Sequence, residues 1–539
     1  MQRNIIRHYV ELGCDIPPDL SCVRIIQGRP FINVSLFQLV VAQLGGDPAL
    51  IAEQVGGPLP TPSPVTRLAW WKLLRAAVLA ATAIRRASKR APAWFSEMRR
   101  MPEDHTRDRL KGLLPIELWD RLDRVGQRLA EGDLTFAIVS GASQGLHSLR
   151  WLLARRLGDD WRPTLNASVQ GIGTVISARQ IFLMAELAET ARNDTETRAF
   201  FTNETWEPGQ HRTTLAGSVF LESFDRYLKE YGHRAIGESD VMSPRFEENP
   251  GYLLDVVRGH LLSEVTTSVQ AVQHRQAATR KEALARIEAS FEWRWHERIL
   301  FRWWHRELCR YLALREANRH HLMHFTSAVR RLLLALGAAL VADGTLESEE
   351  DVFFFTIEEL RDLTRREEAR SHGRSFHSGG LGSGKDERAR QDWKAIVHSR
   401  RAERDRHAAH TVPDFVGVIA LGSSVTDHPS SGLVGLPISS GYAEGKVCLI
   451  RSSGDFTKVE RGDILVVSVI DPGLAPLFGL AGGLIAEMGG ILSHGAIIAR
   501  EYGIPAVVNI PGITGLLTDA DRVAVDGATG EVRILGRPG

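Results

Sequence analysis

Over residues 61–365, apolar positions recur at intervals of three and four in Ala-, Leu- and Arg-rich stretches such as Lys72 to Leu79 and Val329 to Leu340. This period gives each of a series of helices one apolar stripe. Few alternating patterns interrupt it, so a large, mainly α-helical domain is predicted, preceded by an N-terminal segment over residues 1–60. From 366 to 432 the chain becomes rich in Arg, His, Glu, Ser and Gly. So little apolar surface cannot offset the entropy of ordering, and a flexible linker is predicted there. Between 433 and 539 the texture changes again. Ile464 to Ile470, Leu484 to Ala486 and Ala506 to Ile510 are short apolar runs that read as strands buried on both faces. Asp471-Pro472-Gly473 turns the chain, and Arg522 to Leu535 reads as a β-hairpin. A small α/β domain is predicted for this last region.

Composition narrows the function classes. With 66 Lys+Arg against 65 Asp+Glu over 539 residues, the chain has no overall basic footprint, so no nucleic-acid partner is expected. Cys14, Cys22, Cys309 and Cys448 are too few and too scattered for a disulfide framework or a Cys-x-x-Cys metal site. Reduced thiols and a cytoplasmic location follow as the expectation, and no metal ligand set is read on this chain. The first residues lack the apolar core of a signal peptide. The uninterrupted apolar run Leu332 to Ala342 falls short of the ~20 residues a bilayer span needs. No membrane partner is expected.

Three motifs invite readings that their context opposes. Gly141-Ala-Ser143-Gln-Gly145 fits a nucleophile elbow, but a helical surrounding is wrong for a hydrolase that needs a strand before its Ser. Gly379 to Lys385 approaches a P-loop, yet Asp386 stands where a Ser or Thr should hold Mg²⁺, and no buried strand precedes it. Phe291, Trp295, Ile299 and Trp303, interleaved with arginines, could stack on bases or lie on a membrane. Their spacing of four predicts instead a core stripe flanked by snorkelling arginines.

The stretch Gly489-Gly490-Ile-Leu492-Ser493-His494-Gly-Ala-Ile-Ile-Ala-Arg500-Glu-Tyr-Gly503-Ile-Pro505 carries the chemistry. Two glycines permit a tight turn, Ser493 is a good N-cap, and Gly503 with Pro505 forms a stop. His494 is thereby placed on the first turn of a short helix, whose free N–H groups and dipole favour an anion and a neutral imidazole. A neutral imidazole is a nucleophile, and its phosphorylated form would carry the negative charge that such a helix end stabilises. A capping or buried structural histidine is the alternative reading of the same residues.

This stretch resembles the phosphohistidine signature of the PEP-utilising enzymes, a family that includes dikinases, phosphoenolpyruvate synthases and rifampicin phosphotransferases. Gly435 to Val447, Asp471-Pro472-Gly473, Pro476-Leu477-Phe478, Ala486 to Gly490 and Val525-Asp526-Gly527 are similar to other landmarks of that swivelling domain. Leu492 departs from the Thr or Asn often found there. In the helical region, Tyr231-Gly-His-Arg234-Ala-Ile-Gly-Glu238-Ser-Asp240, then Pro244-Arg245-Phe246, resemble the rifampicin-phosphotransferase-like proteins. So do Leu314-Arg315-Glu316-Ala-Asn318-Arg319, Arg330-Arg331 and Asp351 to Phe354.

The resemblance implies a phosphotransferase component of an ATP-dependent dikinase. His494 would carry a phosphoryl group derived from ATP, with Gly489, Gly490, Ser493 and Arg500 supporting its loop. The helical domain would bind a small-molecule hydroxyl acceptor, with Arg234, Arg245 and Arg315 on phosphate oxygens and Glu238 acting on the hydroxyl. Buried Arg–Glu pairs that fix helix packing are the equally weighted alternative. The family's ATP-grasp module has no recognisable counterpart here, so Mg²⁺ and ATP are expected at a partner module. The rival to an enzyme is a phosphorylation-responsive regulator without its own acceptor. His494 is expected to be accessible to solvent.

Overall fold

The computed structural model describes residues 2–18, 20–55, 66–173, 175–203, 207–263, 269–373, 383–410 and 433–537. The chain opens with α1 (Gln2–Glu11), an antiparallel hairpin of β1 (Val23–Ile26) and β2 (Arg29–Ile32), α2 (Val34–Gln43) and α3 (Ala49–Val55). The helical region then runs through α4 (Trp70–Asp104), α5 (Arg107–Leu110), α6 (Pro115–Gly132), α7 (Thr135–Leu157) and α8 (Trp161–Ser168). It continues with α9 (Ile176–Asn193), α10 (Thr195–Thr202), α11 (His211–Thr214), α12 (Val219–Tyr231), α13 (Gly251–Leu262), α14 (Val269–Ser290) and α15 (Trp295–Ala342). The predicted fold class, a large helical region followed by a small α/β domain, is the one observed.

The 48-residue α15 is the axis of the helical region and packs against α4, α6 and α7. By length and composition it could cross a membrane, but half of its apolar window is buried inside the protein. Its inward positions also include Glu316, His320, His321, His324 and Arg330, so it serves as a core helix. The Gly-x-Ser-x-Gly motif lies within α7, as its helical context required. A Cβ on Gly141 would lie 2.6 Å from the Tyr311 ring, and one on Gly145 would lie 3.2 Å from the Leu308 backbone. Both glycines therefore let α7 and α15 approach closely. The Ser143 hydroxyl donates to Gln54 Oε1 at 2.9 Å.

Two expectations need correction. Of the predicted core stripe, only Phe291 is buried, whereas Trp295, Ile299 and Trp303 are 69%, 58% and 40% exposed. The buried face of α15 starts at Phe301 and continues through Leu308, Tyr311 and Leu312. It is rotated from the aromatic stripe because the α7 glycines dictate which side of α15 meets its neighbour.

The second correction concerns the linker, which is helical over its described part. α16 (Ile357–Gly373) extends into it, and α17 (Ser383–Ala409) follows. Val397 is buried, Arg400 holds Glu359 through bonds of 2.6 and 2.8 Å, and Arg401 meets Asp351 at 2.6 Å. Bidentate guanidinium–carboxylate pairing supplies cohesion that the sparse apolar residues do not. The P-loop-like run opens α17 from Ser383; residues 374–382 and 411–432 lie outside the described residues.

The last region is an eight-stranded sheet. It contains β3 (Leu433–Val434), β4 (Leu436–Ser439), β5 (Tyr442–Ile450), β6 (Ile464–Val469), β7 (Gly483–Met488), β8 (Ala506–Val508), β9 (Arg522–Asp526) and β10 (Glu531–Gly536). The order is β3-β10-β9-β5-β6-β7-β8-β4, with β5 to β8 parallel and β4, β9 and β10 antiparallel to their neighbours. α18 (His494–Tyr502) connects β7 to β8, and α19 (Ile513–Leu516) follows β8. Parallel strands covered by helices must be apolar on both faces, which is why β6 and β7 were legible as continuous runs.

The sheet domain packs on the helical region. The turn Pro472–Gly479 lies against α9 and α13, sharing one apolar cluster with them through Leu474, Leu477 and Phe478. A Cβ on Gly473 would stand 2.3 Å from the Ala235 carbonyl oxygen, so only glycine permits this approach.

Candidate functional site

The site begins with the local geometry of α18. Ser493 has extended backbone and its hydroxyl accepts from Ala496 N–H at 3.2 Å, as an N-cap should. Gly503 ends the helix in the left-handed conformation, φ 74°. Gly489 and Gly490 are not among the glycines with positive φ. At Gly489 the requirement is space, since a Cβ would lie 3.2 Å from the Val508 side chain. Its N–H donates to Asn509 Oδ1 at 3.1 Å. Arg500 braces the loop from behind, donating to Ile491 O at 2.7 Å and to Asn166 Oδ1 of α8 at 3.0 Å.

His494 occupies the first turn of α18, but it is not accessible: only 8% of the side chain is exposed. It faces the helical region, where its Nδ1 abuts Glu316 Oε2 of α15. Nε2 is buried with no hydrogen-bond partner among the described residues. Ser177 Oγ donates to the same Glu316 oxygen at 3.3 Å. Burial pushes the imidazole pKa down, opposed by the Glu316 carboxylate. Burial would raise Glu316, but His494, Arg315 and Arg319 together hold it below the usual carboxylate range. An ionised carboxylate at Nδ1 selects the tautomer whose lone pair is on Nε2, the atom a nucleophile must present.

Around this contact lies a buried charge cluster. Glu238 is fully buried, pairs with Arg234 Nε and accepts from Arg319 Nε at 2.9 Å. Burial opposes its ionisation, yet Arg234 and Arg319 keep its pKa low. Both terminal nitrogens of Arg234 are buried without a hydrogen-bond partner among the described residues, as is Arg315 Nη1. Such donors are costly to leave unmet and suit the oxygens of a phosphoryl group. Asp471 joins the cluster from the sheet domain, its pKa raised by burial and by Glu238.

The structure thus gathers His494, Arg234, Glu238 and Arg315 from separate stretches of sequence. It separates Arg245 from them in role: its guanidinium is fully buried and donates to the carbonyls of Glu238 and Asp240 at 3.0 and 3.1 Å. Arg245 thus braces the 238–240 turn, while its Nε is buried without a hydrogen-bond partner among the described residues. Sequence reasoning missed Glu316 and Arg319 as site residues, although both stand in the stretch Leu314 to Arg319. Their signal was a spacing of four between Arg315 and Arg319 and of three between Glu316 and Arg319, which could not by itself be told from surface charge.

The sheet domain thus seats a helix-start histidine against a buried charge cluster of the helical region. Residues 459–530 match the PEP-utilising enzyme mobile domain. Residues 135–316 match the rifampicin phosphotransferase fourth domain. Among curated proteins, a rifampicin phosphotransferase from Bacillus cereus is 30% identical over 332 residues, covering 59% of this chain and 35% of that protein. One from Streptomyces sviceus is 30% identical over 329 residues, covering 59% and 35%. An uncharacterised protein of Mycobacterium tuberculosis is 26% identical over 415 residues, covering 74% and 40%. The chain therefore spans little more than a third of the length of these relatives.

Proposed function

We propose that this chain is the phosphohistidine-carrying and acceptor-binding part of a dikinase-type phosphotransferase. His494 takes a phosphoryl group that originates in ATP, at an ATP-grasp partner protein or domain where Mg²⁺ and ATP bind, and passes it to a hydroxyl of a small molecule held by the helical region. The setting is cytoplasmic. The observation that carries this reading is the seating of His494 against Glu316, beside Arg234, Glu238 and Arg319.

In the transfer step the acceptor oxygen attacks phosphorus, the P–O bond forms and the P–Nε2 bond breaks. The phosphoryl charge passes close to Arg234, Arg315 and Arg319, which stabilise it as it moves. The hydroxyl proton leaves to a carboxylate of the cluster, and Glu316 keeps the Nδ1 proton in place so that His494 departs neutral. A histidine this buried cannot reach a distant nucleotide, so the sheet domain must undock to be charged.

The test uses the purified chain, a candidate ATP-grasp protein from the same source and ATP labelled at the β-phosphate. Acid-labile, alkali-stable label should appear on His494 and be chased into a hydroxylated acceptor. Label on another residue defeats the carrier reading. Robust Mg-ATP labelling of the homogeneous chain alone defeats the requirement for a partner.

A further inference from the structure

Directly behind the charge cluster lie four buried histidines that the transfer chemistry does not use: His233, His320, His321 and His324. His320 and His324 are one helical turn apart on α15, a spacing that puts two imidazoles on the same face. His233 enters from the loop after α12, and its ring stacks on His324 with centroids 3.5 Å apart. One ring nitrogen from each of His233, His320 and His324 falls within 4.8 Å of the others.

We propose that His233, His320 and His324 form a binding site for a borderline divalent metal ion of the zinc type, which ties the 231–245 loop to α15. Two hydrogen-bonding facts support it. His233 Nε2 lies 3.2 Å from the His320 carbonyl, which can only accept, so Nε2 carries the proton and Nδ1 offers the lone pair. A backbone carbonyl on the far nitrogen is the usual orienting partner of a ligating histidine. His320 Nδ1, in turn, is buried with no hydrogen-bond partner among the described residues, an arrangement that a metal ion would satisfy.

The surroundings set the ion's class. All three imidazoles are buried, which disfavours their charged form, and a ligating imidazole must be neutral. The donors are nitrogen, which suits Zn²⁺ or Co²⁺ and not the oxygen-seeking Mg²⁺ or Ca²⁺. Arg99, Arg234 and Arg331 bear on the cluster and oppose added positive charge. Glu238 offsets Arg234, and Glu247, 2.7 Å from Arg331, offsets the third. Metal–nitrogen bonds of ~2.0–2.1 Å in a tetrahedral array require the three nitrogens to draw together and the stacked His233 and His324 rings to splay apart around the ion. The consequence is positional. His233 precedes Arg234 and His320 follows Arg319, so the ion would fix the two backbone segments that present both arginines to Glu238.

The experiment needs no acceptor or phosphoryl donor. The tag-free full chain is stripped with a chelator, loaded separately with Co²⁺, Zn²⁺ or Mg²⁺, and dialysed. Equimolar Co²⁺ should be retained with visible d–d absorption that Zn²⁺ abolishes, Zn²⁺ should raise the melting temperature, and Mg²⁺ should do neither. His320→Gln and His324→Gln should lose the bound ion, while His321→Gln and His494→Gln should keep it. Wild-type chain that holds no Co²⁺ after dialysis overturns the proposal. So does retention in folded His320→Gln and His324→Gln, or loss in His494→Gln. Should those variants fail to fold, X-ray absorption of the Zn²⁺-loaded wild type decides, and fewer than three imidazole ligands overturns the site.

Discussion

The sheet domain and the helical region use opposite strategies to place functional groups. In the sheet domain, one continuous stretch of seventeen residues, Gly489 to Pro505, carries the turn, the N-cap, the histidine, the brace and the stop. In the helical region, the partners of that histidine come from the loop after α12 and from the middle of α15, some eighty residues apart. A local device can swivel as a unit and keep its geometry. A device assembled from distant segments depends on the packing of the whole bundle.

Replacing His494 should have the largest effect. His494→Gln should abolish the acid-labile label while leaving the melting temperature nearly unchanged, because the sheet domain's core does not include this side chain. Labelling that persists would place the carrier elsewhere.

Next comes the pivot of the contact. Glu316→Gln keeps the shape but removes the charge at Nδ1, and transfer to the acceptor should slow by about 100-fold or more, in the range of a lost acid–base or orienting group. On the proposed function His494 is phosphorylated undocked, so that half-reaction should change little. Equal loss in both half-reactions, read by separate single-turnover assays, would show that Glu316 matters only to folding.

The third substitution sharpens the contrast between the arginines. Arg245→Ala strands the buried Glu238 carbonyl, removes the bond to Asp240 and empties a buried site, and should cost on the order of 3 kcal/mol of stability, measured by denaturant unfolding. Arg319→Ala, at a partly exposed position, should spare stability and slow transfer instead. If the two variants behave alike, the division between brace and phosphate contact is wrong.

The smallest expected effect is on docking itself. Glu501 is buried at the interface and accepts from the N–H groups of Ile172 and Gly173 at 3.0 and 3.2 Å. Burial pushes its carboxyl pKa up to about 7. A raised acid pKa means that the docked state binds the proton more tightly, so docking should weaken as pH rises from about 4.5 through 7 and strengthen on acidification. Energy transfer between dyes on the two regions would follow it. Glu501→Gln should flatten that pH dependence, and an unaltered profile would remove Glu501 from the account.

Much of the sheet domain was legible beforehand because its signals are short-range. Strands buried on both faces must be apolar without interruption, and a helix start needs a cap that sits beside it in sequence. The errors fell where the deciding contact was remote. Trp295, Ile299 and Trp303 satisfy a helical period as well as any core stripe does, yet the α7 glycines turn the opposite face of α15 inward. α17 looked too polar to order, but guanidinium–carboxylate pairs with Asp351 and Glu359 hold it. Arg234 and Arg245 were indistinguishable as letters, and only their partners separate them.

The sequence alone determined that a histidine would open a short, serine-capped helix behind a pair of glycines, in a small α/β domain following a helical one. Those features depend on backbone geometry within a few residues, which composition and spacing encode directly. The tertiary structure decided that His494 is buried, that Glu316 rather than Glu238 meets it, and that three histidines converge behind the cluster. Each depends on which faces of separate helices come together, a choice set by side-chain packing over long sequence distances.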